Sequence, residues 1–209
     1  MSTTVIMYTK SMSRWQPNAR GRLEQAALEL YRERGFDQTT VTEIAERAGL
    51  TERTFFRYFA DKREVLFWGQ DRLRELYVRT IEAAPDAAAP IDMVAAALDA
   101  AVPIFHERRE LARQRQAVMA ANPGLQEREL LKAATLSAAM ADALRGRGVP
   151  EPAASLAADS GLLAFKTAFA RWVSAPDEHD LSRLIREALD QLKRITAGTG
   201  TRSAAPLPT

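Results

Sequence analysis

The chain has 209 residues, 46% of them hydrophobic and 27% charged, with a net charge of only +2. That balance describes one large or two modest folded domains and excludes a disordered chain, and no window approaches the ~18 uninterrupted apolar residues of a membrane helix. With no cysteine there is neither disulfide nor thiolate chemistry, and any nucleic-acid role must rest on a local patch, because bulk charge supplies none.

Residues 1–18 read as a flexible arm, positive at Lys10 and Arg14, with no acidic residue before Glu24 and no apolar core of signal-peptide length. Such an arm is either a solvated tail or a segment that reaches along a DNA groove. A first helix is expected from Arg20 to Arg34, where Leu23, Ala26, Ala27, Leu30 and Tyr31 repeat at helical spacing and Gly35 ends the run. Thr40 and Glu43 have capping-box spacing and open a second helix to Ala48. Gly49 stops it, Thr51 caps a third helix over Glu52–Phe59, and Asp61 with Glu64 repeats the box. A front core follows from Leu23, Leu30, Phe36, Val41, Ile44, Leu50, Phe55 and Phe59.

A fourth helix is expected to run unbroken from Asp61 to about Ala83, followed by a proline-rich turn at 83–90. A fifth spans Ile91–Phe105, with a kink or break at Pro103, and a sixth spans Glu107–Ala121. After the Asn122-Pro123-Gly124 break come helices at Leu125–Arg147, Glu151–Val173 and Leu181–Ile195, and a disordered tail from Gly198. No alternating run is long enough for a strand. The expected fold is all-α, about nine helices: an arm (1–18), a helix-turn-helix domain (19–65), a helical effector-binding and dimerisation domain (66–196) and a tail (197–209).

The stretch from Thr40 to Lys62 carries the most information. Small Ala45, Gly49 four residues on and bulky Phe55 six further are the spacing of two helices crossing at close range, as in a helix-turn-helix. Around it stand Ala26-Ala27, Gly35-Phe36, Thr39-Thr40-Val41, Ile44-Ala45, Ala48-Gly49-Leu50 and Thr54-Phe55-Phe56-Arg57-Tyr58-Phe59, then Lys62. Over about 47 residues this run resembles the DNA-binding domain of the tetracycline-repressor (TetR) family.

On a recognition helix the exposed N-terminal residues meet base edges, here Glu52 and Arg53, with Phe56 and Arg57 one turn on. Arg53 suits guanine O6/N7, Glu52 suits cytosine N4, and Phe56 suits a thymine methyl. Thr40, Thr51, Thr54, Tyr58 and Lys62 are candidates for phosphate, although Thr40 and Thr51 are also the caps. The resemblance implies that Thr42, Glu52, Arg53 and Phe56 lie near bases, and Thr40, Thr54, Tyr58 and Lys62 near phosphates. The family usually has tyrosine where this chain has Phe56, so one hydroxyl contact is missing. From Arg20 to Glu64 there are nine basic and nine acidic residues, so binding depends on how the charges are placed.

Behind the motif, the resemblance implies a small-molecule effector held among helices five to eight. Candidates to line its pocket are Phe105, His106, Gln116, Met119, Met140, Phe165 and Phe169. Each of these side chains also suits plain core packing. The last two helices carry Phe165, Phe169 and Trp172, and the stripe Leu181, Leu184, Ile185, Ala188, Leu189, Leu192 and Ile195. They can close a monomeric core or pair with a second copy, and the resemblance favours pairing. No metal-spaced cluster, nucleophile motif or phosphate loop appears, and His106 and His179 are far apart, which argues against an enzyme and a cofactor. The expectation is therefore a cytoplasmic, homodimeric, ligand-released repressor of a near-palindromic double-stranded operator, with no membrane association. The alternative is a helical interaction protein with a degenerate DNA-binding motif.

Overall fold

Asn18, in the left-handed region at φ 77°, accepts a 2.9 Å hydrogen bond from the Gly21 N–H and so starts the first helix, α1 (Ala19–Arg34). The structure, a computed structural model, describes residues 18–175 and 180–197. The expected arm, the expected tail beyond Ala197, and His179 lie outside the described residues. Among the described residues there are nine α-helices and no strand.

The helix-turn-helix is α2 (Val41–Arg47) and α3 (Glu52–Tyr58). The rear consists of α4 (Gln70–Glu82), α5 (Pro90–His106), α6 (Arg109–Ala120), α7 (Pro123–Gly146), α8 (Ala153–Ser174) and α9 (Leu181–Thr196). Pro103 neither breaks nor ends α5, which runs on to His106. Near the end of a helix a proline forfeits one hydrogen bond that neighbouring packing can replace.

The expected unbroken fourth helix is not present. Asp61 Oδ1 accepts from the Arg63 and Glu64 amides at 2.7 and 3.1 Å, and a short 3₁₀ helix spans Glu64–Phe67. Trp68 is extended and Gly69 sits at φ 91°, so the chain turns before α4 begins. The apolar rhythm hid the break, since Val65, Leu66 and Phe67 are all buried in a 3₁₀ turn just as they would be in a longer helix. Only a glycine adopts this φ without strain.

Two buried cores result. The front core holds all eight residues expected of it, with Val41 and Leu50 partly exposed, and adds Val65, Leu66 and Phe67. Val118 and Met119 of α6 and Leu125 of α7 complete it from behind. The rear core joins α4, α5, α7, α8 and α9 around Tyr77, Leu98, Met140, Leu144, Trp172 and Ile185. The α5–α8 crossing is close: a Cβ on Gly161 would lie 2.2 Å from Val94 Cγ1, so glycine is what lets these helices meet.

Polar ties bind front to rear. Arg115 Nε donates to Leu66 O at 2.6 Å and its guanidinium pairs with Glu129 at 2.9 Å. Glu64 takes Arg128 and, at 3.2 Å, Lys132 from α7. Arg108 pairs with Glu24 of α1 and lies 4.5 Å over the Trp68 ring. Burial pushes the Glu24 carboxyl above its ordinary value, and Arg108 opposes that rise.

Candidate nucleic-acid interface

Both helices of the motif are held from their ends. Thr40 Oγ1 accepts from the Glu43 amide at 3.2 Å while Glu43 Oε2 accepts from the Thr40 amide at 2.9 Å, a complete capping box. The cap and Arg34 together hold the Glu43 carboxyl below its ordinary range. Thr51 Oγ1 accepts from the Thr54 amide at 3.2 Å. Ala45 is fully buried where α2 and α3 cross, and the Leu50 amide donates 2.8 Å to Ala45 O across the turn at Gly49 (φ 63°). Phe55 is the one buried side chain of α3 and meets Phe59 with ring centroids 5.4 Å apart.

A clasp that sequence reading missed closes the turn. Arg22 of α1 donates to the carbonyl of Ala48, at the end of α2. No local signal marks this contact, because the partners are 26 residues apart.

Glu52, Arg53, Phe56 and Arg57 share the outward surface of α3, with Phe56 54% exposed. Thr42 Oγ1 donates to a Glu52 carboxylate oxygen, which joins α2 to α3 and provides that carboxylate with the donor it needs near phosphates. Arg53 makes no hydrogen bond or ion pair among the described residues, so its guanidinium is free to donate. Arg57 lies 4.9 Å over the Tyr58 ring and donates 3.3 Å to the Tyr58 hydroxyl. Thr54 shares its hydroxyl with Thr51 at 3.0 Å.

Lys62 departs from expectation. Its ammonium donates to Phe36 O and Thr39 O at 2.8 Å and to Asp37 O at 3.2 Å, and rests 4.5 Å over the Phe36 ring. All three N–H bonds are spent on the α1–α2 loop, so in this conformation Lys62 is a staple and is not available to a phosphate. Tyr31 adds a 2.6 Å hydrogen bond from its hydroxyl to Lys62 O. The hydroxyls of Thr40 and Thr51 are likewise committed to their caps.

The neutral charge count resolves into an asymmetric arrangement. Glu29 and Glu33 pair with Arg47, Glu43 with Arg34, Glu24 with Arg108, Glu64 with Arg128 and Lys132, and Asp61 with Arg63. These acids therefore offer little repulsion, while Arg53 and Arg57 on the outward surface meet no carboxylate. Glu29 and Glu33 stand one helical turn apart on α1, which lets both reach Arg47, but Arg47 lies 18 and 14 residues away from them. The pairings that reach the rear could not be read from spacing either.

The expected effector set does not come together. Phe105, Phe165 and Phe169 do meet, with centroids 5.3–5.5 Å apart, and His106 lies 5.5 Å from Trp172. Met119, however, belongs to the front core and Met140 to the rear one, each almost wholly buried, while Gln116 is half-buried on α6. None of the seven lines the cavity of about 430 Å³ between front and rear or the one of about 450 Å³ along α4 and α5.

The stripe expected to pair with a second copy also needs correcting. Trp172, Leu181, Leu184, Ile185 and Leu189 are buried inside the protomer, and Phe165, Phe169 and Leu192 are partly so. Arg109 donates to Trp172 O and Ala175 O at 2.9 Å, which ties the end of α8 to α6. The large apolar side chains that α8 and α9 do expose are Leu156, Leu163 and Ile195, at 62, 56 and 59%. Among the described residues no cluster of His, Asp and Glu could hold a metal ion, and no helix is long and apolar enough to cross a membrane.

A family model described as bacterial regulatory proteins, tetR family, matches residues 24–67, and one described as MftR C-terminal domain matches residues 88–197. The HTH-type transcriptional regulator TcmR of Streptomyces glaucescens is 36% identical over 81 residues, which cover 39% of this chain. The chain spans only 36% of the length of that curated relative. Among solved structures, Thermus thermophilus FadR, a TetR-family repressor in complex with lauroyl-CoA, superposes with a TM-score of 0.55 at 25% identity, covering 91% of this chain and 99% of that one. A TetR-family regulator from Syntrophomonas wolfei reaches a TM-score of 0.62 at 17% identity, covering 90% and 98%, a likeness of fold alone.

Proposed function

Because the chain belongs to the TetR family of bacterial transcriptional regulators, we propose that it acts as a homodimeric repressor that leaves a near-palindromic operator when a small molecule binds its rear domain. The observation that carries this reading is the α3 surface, where Arg53 and Arg57 face outward beside Glu52 and Phe56 while six of the module's nine acids are held in ion pairs. Arg53 reads a guanine, Glu52, oriented by Thr42, accepts from a cytosine amine, and Phe56 meets a thymine methyl. Thr54, Tyr58 and Arg57 serve the backbone. The amide-rich starts of α2 and α3 add phosphate contacts that do not need the capping hydroxyls.

Two such surfaces are needed to span two half-sites, so the dimer is part of the reading. Its seam is drawn from Leu156 and Leu163, seven residues apart on α8, together with Ile195 of α9. Release follows if the effector favours an arrangement in which the two recognition helices no longer match the half-site spacing, and a useful switch takes a few kcal/mol of differential affinity. The lauroyl-CoA bound by the Thermus relative supports a small-molecule effector in this chain without naming it. The reading puts the protein in the cytoplasm, with its DNA, and assigns it no catalytic role.

Fluorescence anisotropy on DNA from upstream of the protein's own gene tests the reader, and Leu163→Glu tests the seam. The wild type binds one sequence with far higher affinity than scrambled DNA at physiological salt. Leu163→Glu sediments as a monomer and loses at least tenfold in operator affinity, because one half-site alone remains. Equal, weak binding to every sequence at every salt concentration overturns the specific reader.

A further inference from the structure

The cavity of about 430 Å³ lies where the reading helix meets the rear body, and its walls come from both. Arg20, Tyr58 and Phe59 line it from the front, Phe67, Trp68 and Gly69 from the joint, and Arg74, Lys132 and Leu136 from the rear. This size is in the range of pockets that bury a small organic ligand.

Its lining combines two chemistries. Tyr58, Phe67 and Trp68 supply aromatic faces. The Arg20 guanidinium stands 5.5 Å from the Tyr58 ring centroid and 5.4 Å from that of Trp68, so it spans both rings. Lys132 enters from α7, 5.9 Å from the Phe67 ring centroid and 3.2 Å from Glu64 Oε2. Glu64 is also paired with Arg128, so a single carboxylate faces two cations there. The remaining acid on the wall, Asp71, is 3.8 Å from Arg74. The wall therefore carries one more cation than carboxylates, and that cation is Arg20, while Lys132 shares Glu64 with Arg128.

We propose that this cleft binds a planar aromatic carboxylate, with its ring against Tyr58 and Trp68 and its charge between Arg20 and Lys132. A neutral aromatic would leave Arg20, which meets no carboxylate among the described residues, without a counter-charge, and an aliphatic acid would forgo the ring faces. None of the seven candidate effector residues lines this cleft, and its test uses the 209-residue chain without DNA. It can therefore fail while the repressor reading stands, or hold while that reading fails.

Naphthoate is titrated into the protein by calorimetry, with naphthalenemethanol as its neutral counterpart. Saturable binding of naphthoate is expected, with the alcohol at least about tenfold weaker, since a charge-assisted contact is lost. Arg20→Gln and Lys132→Gln each weaken naphthoate about three- to tenfold. Thr135→Trp, which fills the cleft from an exposed position on α7, abolishes binding, whereas Ala96→Trp in the α4–α5 cavity leaves it unchanged. Absence of saturation, equal affinity for acid and alcohol, or full affinity in Thr135→Trp overturns the proposal. Should Thr135→Trp fail to fold, the two charge variants decide: both are at side chains that are not fully buried, and undiminished affinity in both overturns it.

Discussion

The recognition helix α3 and the closing helix α9 are held by opposite means. The sixteen residues of α9 bury Leu181, Leu184, Ile185 and Leu189 along one stripe, so its first nine residues are secured by packing. The seven residues of α3 bury only Phe55, and the forces that fix it lie at its ends and on its neighbours: the Thr51 cap, the Thr42–Glu52 link, the Arg22 clasp and the Lys62 staple. A surface that has to be read cannot also be packed. The front of the molecule therefore depends on a few specific contacts, whereas the rear distributes its stability.

The sharpest way to break that contrast is Phe55→Ala, which removes the only plug of α3. It should cost about 3–5 kcal/mol in urea melts and abolish operator binding, a loss that a helix held along its length would not suffer from one truncation. Lys62→Met comes next. Removing an ammonium from three carbonyls should cost about 2–3 kcal/mol of stability, and the salt dependence of DNA binding should stay at the wild-type slope. A slope reduced by about one unit would instead return Lys62 to the phosphate backbone.

Arg53→Ala should sharpen the comparison from the other side. Because nothing in the fold uses that guanidinium, stability should move by no more than about 0.5 kcal/mol, while operator affinity falls by about 1–2 kcal/mol, mainly at one base position. The smallest effect is expected at Glu24, between front and rear. Burial, against the partial opposition of Arg108, raises its carboxyl above the ordinary 4.5, so the folded chain binds more protons than the unfolded one in the window just above that value. This group's contribution to stability is therefore lost as pH rises through that window. Glu24→Gln does not titrate there, and the stability of wild type relative to the variant should decline as pH is raised from 4.5, as read in paired urea melts.

What could be read from the chain divides along the same line. Helix periods, the Thr40 and Thr51 caps, the Gly49 turn and the Phe55 plug are local, with partners a few residues apart, and each is present. The break at Gly69 was masked because Val65 to Phe67 continue an apolar rhythm that a 3₁₀ turn satisfies equally well. The Lys62 staple, the Arg22 clasp and the Glu64 clamp join residues 23–68 positions apart, and a charged side chain carries no mark of whether its partner is a carbonyl or a phosphate. The stripe of α9 was visible, but a stripe does not say which body it faces. Its strength reflects the protomer's own core, and the large apolar side chains that α8 and α9 expose are its last member, Ile195, and Leu156 and Leu163 of α8, which form no stripe of comparable length.

The pairing of acids with arginines around the motif has a further consequence for how such a protein finds its site. With so few free cations on the outward surface, little of the counterion atmosphere is displaced on random DNA, and each phosphate contact forgone lowers the salt exponent by about 0.9. Residence on the bulk of the chromosome is then short. On the proposed reading, discrimination would rest on the α3 contacts and on two half-sites, and few copies would be sequestered through the described residues on DNA that carries no operator.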